Sequence, residues 1–376
     1  MITARRKCDE GYSTFHSSHN YLARCMLRRS LKTLIVVVLT LGLTAFFLRN
    51  AQLDRVWNAV WMARVDMLLV CAVLTVFSYV IRIERWRGLL RPVGSVSFST
   101  AGIATMIGFA ANALLPGRVG EVLRPFVLAR HNDVSGTAAV ATVVVERLLD
   151  LVAIMVTLAG CIVFFAGPTN NPELLLTLQF GSMAGGVAGV VVLAVMAWLA
   201  RNPRGSERII TWCKAVTPRR WTSVVDRLAR RFASGLSVTG RVGALAVAFL
   251  MSIILWASIA LSLVFGSRAF GIDISFVESI PLLAMVAIGV SLPTPAGMGG
   301  YHAAYQLGVT SLYGFDNDAA VGAALVIHAI AFVPVTLVGL LCLTKEGLHL
   351  GSLSGVAVGD GLSEVTKRQH KNGVIS

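Results

Sequence analysis

The chain has 376 residues, of which 56% are hydrophobic and 14% charged, and its net charge is +14 at pH 7. A soluble domain carries about a quarter charged residues, so the composition excludes a water-soluble globular core and predicts an all-α, polytopic helical membrane protein. The positive charge does not indicate nucleic acid, because no soluble stretch is long enough to fold into a basic reading face.

Residues 1–30 read as a cytosolic N-terminal segment, of which 1–25 are polar and irregular, and Met26 opens a more typical run that fits an alternative start. Arg24, Arg28, Arg29 and Lys32 then precede an apolar block with no small-residue cleavage site after it, the pattern of an uncleaved signal anchor. A helix needs about 20 apolar residues to cross roughly 30 Å of hydrocarbon. On that measure the transmembrane domain, 31–345, holds six full spans: Leu31–Leu48, Val65–Ile81, Thr137–Phe165, Leu174–Ala200, Ala244–Phe265 and Ala319–Thr344.

The second span runs into Arg82, Glu84, Arg85, Arg87 and Arg91, which read as ordinary markers of a cytosolic helix end. The loop 201–235, with nine Lys and Arg against Glu207 and Asp226, is also expected in the cytosol, as is the tail 346–376. The link 167–173 has no Lys or Arg and is expected outside. Gly181, Gly185 and Gly189 form a small-residue stripe that predicts close helix packing. The six cysteines stand singly, which fits neither a disulfide framework nor a metal site. The localisation expected is a cell membrane, the bacterial plasma or inner membrane.

Two further apolar stretches, 98–130 and 277–313, are broken by Pro and Gly and read as re-entrant hairpins or pairs of short helices. They resemble each other. Pro116 through Gly120 compares with Pro295 through Gly299, and the helices that follow align so that Arg147 and His328 are equivalent. The number of intervening spans gives the two units opposite orientations, the inverted repeat of many transporters. Broken backbone at membrane depth is tolerated only beside protein or a water-filled cavity, so two breaks predict a cavity.

The run Asn112-Ala-Leu-Leu-Pro116-Gly-Arg118-Val-Gly120-Glu121-Val-Leu-Arg124-Pro125, followed by Glu146-Arg147-x-x-Asp150, strongly resembles the lysylphosphatidylglycerol synthase transmembrane-region family, the flippase-like UPF0104 group. A second signature, Leu292-Pro-Thr-Pro295-Ala-Gly297-Met-Gly299-Gly300-Tyr-His302, is similar to that family's Gly-rich turn. The resemblance implies movement of a polar or charged lipid between leaflets. Some members carry a soluble aminoacyl-transferase domain behind the membrane region; the thirty or so residues after the last span here are too few for one. Many relatives look to have Glu where this chain has His302, so a cationic aminoacyl-lipid substrate is not carried over.

Charges inside a membrane cost roughly 2.5–3.5 kcal/mol each by insertion scales and mark function by default. Glu146, Arg147 and Asp150 share one helix face at that depth, as a structural ion pair or a substrate path. Arg118, Glu121 and Arg124 follow Pro116 at helical spacing, which fits two guanidiniums holding a phosphate while Glu121 poises them. His302 and His328 are either packed core residues or proton-responsive partners in the cavity. Asn112 completes the substrate-binding set.

These features predict a translocase-like protein with no catalytic residues, no metal and no cofactor, acting on a lipid with an anionic or phosphate-bearing head group. Two alternatives stay open. One is a non-catalytic partner of a glycosyltransferase or polysaccharide complex. The other is a membrane-embedded lipid-modifying enzyme, for which no His-Glu-x-x-His or comparable motif is found. A lipid- or glycan-modifying enzyme and a second copy of the chain are further expected partners.

Overall fold

The computed structural model describes residues 34–49, 51–115, 118–131, 134–165, 171–217 and 241–346, together with Thr222, Ser223, Asp226 and Arg230. The segment 1–30, the tail beyond Glu346, most of the link 167–173, Pro116 and Gly117, and most of 218–235 lie outside these residues. The described helices are α1 (Leu34–Leu48), α2 (Leu53–Trp61), α3 (Val65–Leu90), α4 (Phe98–Leu114), α5 (Val119–His131), α6 (Gly136–Phe165), α7 (Pro172–Arg201), α8 (Pro203–Val216), α9 (Val242–Arg268), α10 (Ser279–Ser291), α11 (Gly300–Tyr313) and α12 (Asn317–Lys345). A 3-10 turn, Pro295–Gly297, joins α10 to α11.

Local chemistry sets the helix starts. The Ser97 hydroxyl accepts the Thr100 N–H at 3.1 Å ahead of α4. Asn171 accepts from Leu174 N–H before Pro172 at the head of α7, and Asp316 accepts from Asp318 and Ala319 N–H before α12. Gly314, at φ 71°, closes α11 in the left-handed conformation that glycine adopts without strain.

Among the described residues, four helices are long and apolar enough to cross a membrane: α3, Pro172–Leu199 of α7, α9 and α12. The bent pair α1 and α2, meeting at 82°, makes a fifth if it counts as one span. Two of the six expected spans therefore need qualification. The first is described only from Leu34 and turns into α2 rather than into an open loop. The third, α6, has 30 residues but carries Glu146, Arg147 and Asp150 near its middle. The protein is a multi-pass helical membrane protein.

The outer faces are those of a protein solvated by lipid. Exposed Leu69, Val73, Val76 and Val80 form one stripe on α3, and Val333, Leu337 and Leu341 form another on α12. Polar groups turn inward, as Ser252, Ser258, Ser262 and Ser267 do on α9. On α2 the exposed residues Leu53, Trp57 and Trp61 share a face, with the two indoles stacked at 6.5 Å, the amphipathic surface suited to a membrane interface.

Each broken segment folds into a helical hairpin, α4 with α5 and α10 with α11. Close backbone contact between two glycines pins each one. A Cβ at Gly120 would collide with the Gly108 carbonyl oxygen, and one at Gly289 with the Gly300 carbonyl oxygen. The helix after each hairpin, α6 or α12, packs on it. Arg147 stands eleven residues beyond Gly136, and His328 eleven beyond Asn317, so the two occupy matching places in their helices. At the centre α3 and α9 run antiparallel. The Arg64 N–H at the head of α3 donates to the Ala269 carbonyl at the foot of α9 at 3.0 Å. Across this pair α4 packs on α12 and α6 on α10, so each hairpin's first helix meets the long helix of the other unit.

The predicted end of the second span at Ile81 is corrected. α3 continues to Leu90 and carries Arg82 and Arg85 inward with it. Trp86, Leu89 and Leu90 are fully buried, so this turn of helix is core rather than a solvated end. The glycine stripe on α7 is also corrected in part. Gly189 faces Val152 and Gly185 faces Met155, both on α6, whereas nothing lies within 4 Å of a Cβ at Gly181.

Candidate functional site

α3, α5 and α6 bring three guanidiniums to two carboxylates. Arg85 is the hub and is fully buried. Its Nη1 donates to Asp150 Oδ1 and to Ser252 Oγ, each at 2.5 Å, and its Nη2 donates to Glu146 Oε1 at 3.0 Å and Asp150 Oδ2 at 3.1 Å. Arg147 Nη2 reaches Glu146 Oε1 at 2.9 Å and Asp150 Oδ2 at 3.2 Å. Arg124 Nη1 lies 3.3 Å from Glu146 Oε2, and its guanidinium stacks on Trp86, with Cζ 3.7 Å from the ring centroid. Trp256 Nε1 adds a further donor to Asp150 at 3.1 Å.

Two buried carboxylates held by three guanidiniums solve a specific problem. Each ion taken out of water costs several kcal/mol, and only direct, hydrogen-bonded pairing offsets that cost. The hydrogen bonding here is incomplete on both sides: Arg85 Nε, Arg124 Nε and Nη2, Arg147 Nε and Glu146 Oε2 have no hydrogen-bond partner among the described residues.

Beside this cluster lies an open cavity of about 540 Å³ lined by both repeat units. Arg82, Asn112, Arg118, Glu121, Arg147 and Asp150 line its charged end. Leu151, Ile154, Met155, Ile259 and Leu263 form an apolar wall, and Ala296, Gly297 and Tyr301 bring in the second break. Arg147 has a third of its side chain exposed, so it both pairs with the carboxylates and faces the cavity.

The predicted residues thus divide into groups. Asn112, Arg118, Glu121, Arg147 and Asp150 meet at the cavity, while Glu146 and Arg124 stand behind it in the ion cluster. Asn112 also works locally, its Oδ1 accepting the Gly120 N–H at 2.7 Å across the hairpin. Arg118 is 3.6 Å from Glu121. The expected clamp, Arg118 and Arg124 on one phosphate with Glu121 poising them, is not what the fold builds, because Arg124 turns away to Trp86 and Glu146.

His302 and His328 are not among the residues that line the cavity. Their rings touch, with centroids 4.5 Å apart, between Phe47, Tyr301 and Phe332. His302 Nδ1 accepts the Gly299 N–H at 3.2 Å, capping α11, and His328 Nε2 meets the Ala296 carbonyl at 3.0 Å. They brace the wall from behind. Sequence reasoning missed Arg82 and Arg85; the signal was their company, since Ile81, Ile83 and Trp86 interleave them with core residues.

Residues 33–339 match the family described as the lysylphosphatidylglycerol synthase TM region. The chain belongs to that family. It is 25% identical over 338 residues to a protein named glycosyltransferase AglD of Haloferax volcanii, covering 81% of this chain and 52% of that protein. It is 27% identical over 214 residues to a UPF0104 membrane protein of Methanothermobacter thermautotrophicus, covering 52% of this chain and 60% of the relative. The chain thus spans between half and two thirds of the length of these curated relatives.

Proposed function

We propose that this family member is a lipid translocase-like protein of a bacterial plasma membrane, binding a phosphate-bearing polar lipid and moving its head group between leaflets. One observation carries the reading: the cavity between the repeat units joins a cationic end, where Arg147 and Arg118 are accessible, to an apolar wall. Guanidiniums suit phosphate because they offer paired donors in a fixed plane. The apolar wall suits the first carbons of acyl chains whose remainder stays in the bilayer. The ion cluster behind the cavity keeps Arg147 oriented and charged at a depth where a lone cation is costly.

The test is reconstitution of the purified chain in vesicles and measurement of head-group exposure with a membrane-impermeant reagent. Movement above that in protein-free vesicles, lost in Arg147→Ala, supports the reading.

A second reading rests on the AglD relative, which is named a glycosyltransferase and is about twice as long as the stretch matched. It makes this chain the membrane partner of a separate glycosyltransferase. Stoichiometric co-purification of such an enzyme, with no translocation in vesicles, favours it.

A further inference from the structure

Arg82 lies one helical turn before Arg85, yet its situation differs. Arg85, Arg124 and Arg147 each reach a carboxylate within 3.3 Å, whereas Arg82 has no carboxylate within ion-pair distance among the described residues. Its Cζ sits 5.7 Å from the ring centroids of both Phe109 and Trp256, which flank it without neutralising it, and it lines the cavity. The charges around it come from every helix packed there. They are Arg85 on α3, Arg124 on α5, and Glu146, Arg147 and Asp150 on α6, with Trp256 on α9 neutral. Arg118 and Glu121 at the mouth offset each other. Four guanidiniums therefore face two carboxylates, and two positive charges are uncompensated.

We propose that Arg82 is the head-group anchor of this cavity and that the ligand it receives carries a phosphate monoester dianion. The inference rests on the lipid-translocase reading and adds the charge of the head group to it. Uncompensated charge at membrane depth is costly, so a ligand that supplies two negative charges gains most by entering. A phosphodiester supplies one, and a zwitterionic or cationic head group supplies none. The second charge distinguishes the classes: a phosphate monoester approaches −2 above its second ionisation near pH 6. Arg82 and Arg147 approach that phosphate from α3 and α6, while Leu151, Ile154 and Met155 meet what is attached to it.

The test uses the full chain in detergent at pH 8 and measures binding of dioleoyl phosphatidic acid, dioleoyl phosphatidylglycerol and inorganic phosphate, with melting temperature on the same preparations. Phosphatidic acid is expected to bind roughly tenfold more tightly than phosphatidylglycerol, the ratio one charge-assisted hydrogen bond supplies. Arg82→Gln is expected to abolish that preference by weakening phosphatidic acid binding several-fold more than phosphatidylglycerol binding, and Arg82→Lys, which keeps the charge, to retain most of it. Equal binding of the two lipids by the wild type, or an undiminished preference in Arg82→Gln, overturns the inference and leaves the translocase reading standing. Inorganic phosphate binding as tightly as phosphatidic acid assigns the site to the free ion and overturns its lipid half. Binding of none of the three removes both readings. A loss that Arg82→Lys shares in full, with an equal drop in melting temperature, makes Arg82 structural and overturns its anchoring role.

Discussion

Arg118 joins the two broken segments to each other: its Nη2 donates to the Val290 carbonyl at 2.9 Å, from the tip of one hairpin to the end of α10 in the other. Arg118 holds φ at 55°, and the other non-glycine residue with positive φ among those described is Ala296, at 52°, in the second break. Each break thus contains one side-chain-bearing residue in a conformation that costs about 1–2 kcal/mol. Strain and link are separable by substitution. Arg118→Ala loses the link and keeps the strain, while Arg118→Gly loses both. The glycine variant is expected to be the more stable of the two by about 1 kcal/mol, read from thermal unfolding in detergent.

Arg85 and Arg147 share the same two carboxylates but not the same exposure, and their substitutions should separate stability from function. Arg85→Met leaves Glu146 and Asp150 short of their buried partner and is expected to cost about 3–5 kcal/mol. Arg147→Ala, at a half-buried place on the cavity wall, is expected to cost less than half as much and to stop translocation in a protein that remains folded. Denaturant or thermal unfolding alongside the vesicle assay checks both.

This contrast marks what the sequence made legible. The intramembrane charges Glu146, Arg147 and Asp150 stand out against an apolar background, and the two Pro- and Gly-broken segments announce their hairpins. Arg82 and Arg85 do not stand out, because a basic run after an apolar block is the ordinary mark of a cytosolic helix end. Only packing of the last turns of α3 against α5 and α6 distinguishes them from Arg87, which turns away to Glu84 and to the Val96 carbonyl. Arg124 was legible as a charge at helical spacing, but its stacking on Trp86 depends on two helices meeting and has no local signal. The histidines show a different limit: repeat symmetry left a cavity role open beside a packed-core one, and their rings lie among aromatic neighbours rather than on the cavity lining.

His302→Gln is therefore expected to act through stability. The imidazole that accepts Gly299 N–H and packs on Phe47 and His328 is a fitted cap, and its replacement should cost roughly 1 kcal/mol or more. The pH profile of translocation should keep its shape. A profile that flattens in His302→Gln, at unchanged melting temperature, would put the histidine back in the transport path.

The glycine contacts in the hairpins give a prediction independent of any ligand. Gly120→Ala and Gly289→Ala force backbone apart and are expected to destabilise by about 1–3 kcal/mol, as overpacking does. Gly181→Ala, with open space around the added methyl, is expected to change stability by less than about 0.5 kcal/mol. Melting temperatures of the three variants in one detergent decide the matter.

The most direct measurement of the central claim follows a phosphatidic acid carrying a fluorescent acyl chain in vesicles that contain the wild-type chain, Arg147→Ala or no protein. Extraction of the probe by albumin reports what has reached the outer leaflet. The wild type is expected to empty the inner leaflet well ahead of protein-free vesicles, and folded Arg147→Ala to match the protein-free rate. Equal rates for wild-type and protein-free vesicles, or equal rates for wild type and Arg147→Ala, would contradict a head-group path through this cavity.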